Sequence, residues 1–309
     1  MKHIQTVTGQ INPEEMGATY CHDHILFLPP SPYSDNDPTL RLDVVEKSLK
    51  EMQVFQMAGG GCVIEMSTID AGRSPEGMKT ISEQSGIKIV AATGFNKNIY
   101  CERVVKDQSV DQISRNIIKD LVEGMDGGLI KAGVIKASSS KDTFTESEEK
   151  IFKAAAIAHK ETGAPVSTHT EAGTLALEQI EKLKREGVDA NNIVIGHLDR
   201  KLEWDYLKAV ADSGVFMSFD QLSKEKYYPD SLRIEMIKKL IETGHGGQLM
   251  LSGDLARMSY LPSYGFGYGP GYTYILWRFV PWMLEEGITR EAVDNILIHN
   301  PARAFVWKN

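Results

Sequence analysis

IKAGVIKA at residues 130–137, SEEKIFKAAAIAHKET at 147–162 and VSTHT at 166–170 follow one another in the middle of the chain. The two outer pieces are short, carry β-branched residues and end in polar ones. The middle piece sets Ile151, Phe152, Ala155 and Ala158 at three- and four-residue spacing, as a helix packed along one face requires. A strand, a helix and a strand in that order imply two parallel strands joined by a crossover. The same alternation extends outward in both directions. Strands are predicted around 18–22, 62–67, 87–93, 193–198, 215–219 and 249–252, with further helical patterns at 42–57 and 175–186. With the two strands of the central unit this makes eight, and eight such units predict an α/β fold, a (β/α)8 TIM barrel. An open doubly wound sheet is the weaker alternative. No Gly-x-Gly-x-x-Gly turn follows the first strand, and polar residues gather at the ends of several strands rather than at one switch point. No linker, charge run or break in composition interrupts the chain, so one domain over residues 1–309 is expected. Residues 260–274, rich in Gly, Tyr and Pro, are too long for a turn and are predicted to form a loop over the site.

Bulk properties narrow the function. A formal charge of -8 opposes a generic nucleic-acid or anionic-membrane binder, since both need a cationic face. An anionic small molecule would have to be caught by a local basic cluster. No apolar run nears the roughly 20 residues that span a bilayer, and the polar stretch up to Pro13 lacks a basic start and apolar core. A cytoplasmic protein with a small-molecule partner, without nucleic acid or membrane, is expected, with a homodimer as the assembly to consider. Cys21, Cys62 and Cys101 are odd in number and far apart, which fits reduced thiols better than disulfides or a cysteine zinc site.

Strand ends carry the chemistry. His22 and His24 flank Asp23, and a two-residue period puts both imidazoles on one face, inside the barrel. A pair of hydrogen-bonded core histidines would look the same. His169 closes VSTHT, His197 closes IVIGH at 193–197, and Asp254 closes LSGD at 251–254. All lie at carboxyl ends, where barrel active sites assemble. Four histidines and a carboxylate would be costly as uncompensated core groups, whereas divalent ions use this N/O set. Lys136, near the end of the fourth strand, is either an ordinary lysine exposed at a strand end or a neutral amine that has captured carbon dioxide as a carbamate. Residue chemistry alone leaves both open.

His22-Asp-His24 after Gly-Ala-Thr, Lys131-Ala-Gly-Val-Ile-Lys136, Ser167-Thr-His-Thr-Glu-Ala-Gly173, Gly196-His197 and Ser252-Gly-Asp254 resemble, in order, the phosphotriesterase family of the amidohydrolase superfamily. The resemblance implies a binuclear hydrolase. His22, His24 and Asp254 would hold one divalent ion and His169 and His197 the other, with carboxylated Lys136 and a hydroxide between them. Zinc is the expected metal, manganese or cobalt the alternatives. Some relatives place glutamate one position after the lysine; Ala137 here favours the carbamate. Asp254, beside the hydroxide, is the expected catalytic residue, taking up its proton and returning it to the leaving group.

Gly196-His-Leu-Asp-Arg200, the stretch from Ser218 to Tyr227 and that from Ser252 to Tyr260 are similar to the branch that opens phosphorylated furanose lactones. The resemblance implies that Lys226, Arg257 and Tyr260 bind the phosphate of a 1,4-furanose lactone 5-phosphate. An ammonium, a forked guanidinium and a phenol can neutralise and hydrogen-bond a dianion, although solvated loop charges are the commonplace reading. The motif departs from the branch at Gln221 and Met258, where glycine and lysine are familiar. Arg200 is placed with the substrate binders, touching the sugar ring or orienting His197; a surface ion pair with Asp199 is the alternative. Lys97 and Tyr100 are placed as a roof. Asn300 and Pro301 resemble the start of the family's closing helix, Asn300 as its cap. A phosphotriesterase or a lactonase for unphosphorylated lactones would use the same metals but want an apolar pocket. A sugar-phosphate lyase or isomerase on the same barrel is the reading from a different class.

Overall fold

The computed structural model describes residues 2–308. A small antiparallel hairpin of β1 (Ile4–Thr6) and β2 (Gly9–Ile11) precedes eight further strands. These are β3 (Ala18–Asp23), β4 (Gly60–Glu65), β5 (Lys88–Gly94), β6 (Val134–Ser139), β7 (Val166–Thr170), β8 (Ile193–Ile195), β9 (Phe216–Phe219) and β10 (Leu249–Leu251). They pair in parallel and in sequence order, with β3 and β10 as the two edges lying side by side. The expected eight-stranded α/β barrel is thus the observed architecture.

Asp23 joins the edges. Its Oδ1 accepts from Leu255 N at 2.7 Å, and its Oδ2 accepts from Ser252 Oγ at 3.1 Å and Gly253 N at 3.2 Å. Side-chain hydrogen bonds from β3 thereby hold the chain leaving β10, at the end of the barrel that carries the site.

The helix of the central unit, Glu146–Thr162, starts where Thr145 and Glu148 form a capping box and stops at Gly163, whose φ of 76° suits glycine. It buries Ile151, Phe152, Ala154, Ala155 and Ala158 against the barrel. Strand alternation sorts the remaining core. Cys62 and Ile64 of β4, and Val90 and Ala92 of β5, belong to the cluster inside the barrel, whereas Val63, Ile89 and Ala91 join the layer between strands and helices. β3 departs from this alternation because its register with β4 shifts between Tyr20 and Asp23. Adjacent residues therefore both turn toward the end of β9: Cys21 Sγ lies 3.0 Å from Ser218 Oγ, and His22 Nδ1 lies 3.9 Å from Asp220 Oδ2. The bulge, and not the period of two alone, sets the His22–His24 pair.

Two expectations change. Asn300 is not a helix cap: it has helical φ/ψ, continues a π-turn at Asn295–His299, and its amide donates to Gly246 O and Leu249 O at 2.8 and 2.7 Å. Its tie to the start of β10 replaces capping, because the preceding turn is already helical. Of residues 260–274, only Tyr260 lines the cavity at the strand ends. Tyr272 and Tyr274 instead fasten the stretch to the barrel rim, donating to His24 O at 3.0 Å and Asp230 Oδ2 at 2.7 Å.

Candidate metal centre and substrate pocket

His22 and His24 come from the end of β3, Lys136 from β6, His169 from β7, and His197 and Asp254 from the turns after β8 and β10. His197 and Asp254 both have left-handed backbones, with φ of 60° and 46°. Such turns aim a side chain back over the barrel mouth, at a cost that surrounding contacts must hold. Gly196 must be glycine, since a Cβ there would stand 2.3 Å from Thr168 O and 3.1 Å from His22 Nδ1.

Five of the six side chains meet, and Lys136 lines the cavity beside them. His22 and His197 rings lie 4.5 Å apart, and those of His169 and His197 4.4 Å apart. His197 Nε2 is 2.7 Å from His169 Nδ1, and His24 Nε2 is 3.5 Å from Asp254 Oδ1. One ligand atom each from His22, His197 and Asp254 falls within 4.8 Å of the others, a spacing that could hold a metal ion. His197 thus faces both the set expected around one ion and its own partner His169. His22 is buried with both ring nitrogens lacking a hydrogen-bond partner. A fully desolvated imidazole without partners is costly, and a cation is the partner this donor set fits.

The remaining ring nitrogens are held from outside. Ser67 Oγ stands 2.8 Å from His24 Nδ1 and itself donates to Glu65 Oε1 at 2.6 Å. Asp220 Oδ1 holds His197 Nδ1 at 2.6 Å, and Glu171 Oε2, paired with Lys97, holds His169 Nε2 at 3.2 Å. Such outer partners orient ligands and fix their tautomers. Burial, then Lys136 for one and His197 for the other, pushes His24 and His169 down to about 3, so both imidazoles are neutral and ligand-ready. Burial alone would lower His197, but Asp220 outweighs it and raises the group. Burial brings Lys136 down to about 8; its Nζ donates to Met66 O at 2.8 Å, and the side chain is fully enclosed, which rules out an exposed strand-end lysine. Burial would raise Asp254, yet Lys224 and the histidines hold it well below the usual carboxylate range.

Beside these groups opens a cavity of about 270 Å³ that Arg200, Lys226, Arg257 and Tyr260 also line, together with Lys97 and Tyr100. Lys226 Nζ sits 4.9 Å from the Tyr227 ring centre and 5.9 Å from that of Tyr260. Arg200 stacks on Tyr227 at 3.6 Å, while Asp199 is buried against Arg233, so the two do not form the surface pair considered above. Arg257 reaches Thr39 Oγ1 at 3.0 Å and pairs with Asp37. Sequence reasoning missed Asp220, Glu171 and Lys224, and met Gln221 only as a motif departure. Asp220 follows the end of β9 and Glu171 that of β7, the same strand-end signal that exposed the histidines; Lys224 gave none.

A sequence model of the phosphotriesterase family matches residues 2–305. The phospho-furanose lactonase of Mycoplasmopsis synoviae is 31% identical over 328 residues, 99% of this chain and 92% of that protein. The crystal structure of a lactonase from Listeria monocytogenes superposes with a TM-score of 0.94 at 37% identity, covering 99% of this chain and 100% of that one. The phosphotriesterase homology protein of Escherichia coli, solved with phosphate in its active site, gives 0.90 at 34% identity over 94% of this chain and 99% of that one.

Proposed function

The chain belongs to the phosphotriesterase family and is a metal-dependent hydrolase, and on that premise we propose that it opens five-carbon 1,4-lactones bearing a 5-phosphate. The observation that carries this reading is that Arg200, Lys226, Arg257 and Tyr260 share one cavity with five of the metal-ligand candidates, His24, Lys136, His169, His197 and Asp254. The phospho-furanose lactonase of M. synoviae and the phosphate bound in the E. coli structure support the same chemistry.

His22, His24 and Asp254 would hold one ion and His169 and His197 the other, with Lys136 as a carbamate between them; zinc is the proposed metal. When bound, two such ions supply a water that ionises near neutral pH and a Lewis acid for the carbonyl. Lys226, Arg257 and Tyr260 hold the phosphate, which fixes the lactone carbonyl over the centre and turns remote binding energy into positioning. Asp254 takes the proton of the attacking water and delivers it to the ring oxygen as the acyl C–O bond breaks. The product is a phosphorylated aldonic acid. Arg200, over the Tyr227 ring, faces the sugar.

The test is kcat/KM for the lactone phosphate and for its dephosphorylated analogue, in wild type and Arg257→Ala. Charge-assisted hydrogen bonds of roughly 1.5 to 3 kcal/mol each make a wild-type preference of at least about a hundredfold the expected result. Arg257→Ala should shrink that ratio with the metals retained. A wild type indifferent to phosphate would shift the assignment to a lactonase for unphosphorylated lactones or a phosphotriesterase.

A further inference from the structure

Asp254 is gripped through one oxygen. Its Oδ2 accepts from Gln221 Nε2 at 2.8 Å and from Lys224 Nζ at 3.0 Å, whereas Oδ1 is the oxygen facing His24. Lys224 Nζ also donates to the Asp254 backbone carbonyl at 2.7 Å and to Gln221 Oε1 at 3.0 Å. All three donors of the ammonium are therefore engaged within this small cluster. The Lys224 side chain is only 4% exposed, although a loop lysine ordinarily stands in water. A buried ammonium persists when an opposite charge and hydrogen-bond acceptors match it, and Asp254 supplies both. The contact also holds the Asp254 backbone, whose φ of 46° is one that a residue with a side chain keeps only under constraint from its neighbours.

We propose that Lys224, assisted by Gln221, is a positioning residue that occupies Asp254 Oδ2 and pins its backbone, so that Oδ1 alone is presented to the metal centre. The inference rests on the reading of Asp254 as ligand and proton acceptor. With Oδ2 engaged by two donors the carboxylate cannot turn to bind an ion through both oxygens. Oδ1 held in place keeps one lone pair for an ion and the other for the proton of the attacking water.

The experiment uses full-length zinc-loaded protein with Lys224→Met, Lys224→Arg and Gln221→Leu, and reads both lactone kinetics and zinc retention against a chelator. Lys224→Met should lower kcat by about tenfold to a hundredfold with KM inside about threefold, and weaken zinc retention by a similar factor, as loss of an outer partner of a ligand does. Lys224→Arg should recover part of both losses, and Gln221→Leu should show the same pattern more weakly. If Lys224→Met does not fold, Gln221→Leu and Lys224→Arg carry the comparison, and wild-type values in both would overturn the proposal. Unchanged kcat and zinc retention in Lys224→Met, or a loss confined to KM, would also overturn it, the latter making Lys224 a substrate contact. Zinc retention needs no substrate, so it decides the role of Lys224 even if wild type fails to open the lactone.

Discussion

Lys136 concentrates the chemistry of a single residue. Its amine is enclosed, pushed down to about 8 by burial, and surrounded by the ligand histidines' cavity. A lysine so placed has a larger neutral fraction to react with carbon dioxide than a lysine in water. Protein stripped of metal should therefore reload faster when bicarbonate is added, and Lys136→Ala should lose metal and at least about a hundredfold in activity together, since even outer partners of a ligand cost up to that much. Elemental analysis and lactone turnover on the same preparations check this; a variant that keeps its ions and its rate would remove Lys136 from the centre. The candidate ligand set was legible because a strand end is a sequence property, and His22, His24, His169, His197 and Asp254 each stand at or just past the end of a β-rich run. Lys224 was not legible. It lies in a polar loop like any solvated lysine, and only the fold of that loop onto Asp254 buries it.

Between elements, the pocket depends on contacts that no local pattern encodes. Arg257, after β10, is met by Asp37 and Thr39 from the segment after β3, some 220 positions away. Separations of 248 and 44 positions likewise hide why Tyr272 and Tyr274 fasten the rim rather than cover the mouth. Strand and helix positions, by contrast, followed from periodicity to within a few residues. β6 begins at Val134 rather than 130, since Ile130 O accepts from Met125 N at 2.8 Å and Ala132 N donates to Asp120 O at 3.0 Å, both away from the sheet. On the proposal that Arg257 holds the phosphate, Asp37 would compete for the same guanidinium, and Asp37→Asn should lower KM for the lactone phosphate by about two- to fivefold, the range of a partly exposed ion pair. KM for the dephosphorylated lactone should not move. A rise in the phosphorylated KM would show that Asp37 orients Arg257 for substrate instead of competing with it.

Across the whole molecule, closure of the barrel and assembly of the centre share one residue. Asp23, which sits between His22 and His24, joins β3 to the turn after β10 on both sides of Asp254. Asp23→Ala would strand three donors at the seam and should cost about 2 to 4 kcal/mol in urea unfolding at fixed metal concentration. No loss would mean that packing alone holds the seam. Because the proposed centre draws six side chains from five strand ends, the metal content of the wild-type protein is the most direct test. After reconstitution and removal of free metal, about two divalent ions per chain are expected; at most one ion per chain would contradict the binuclear centre.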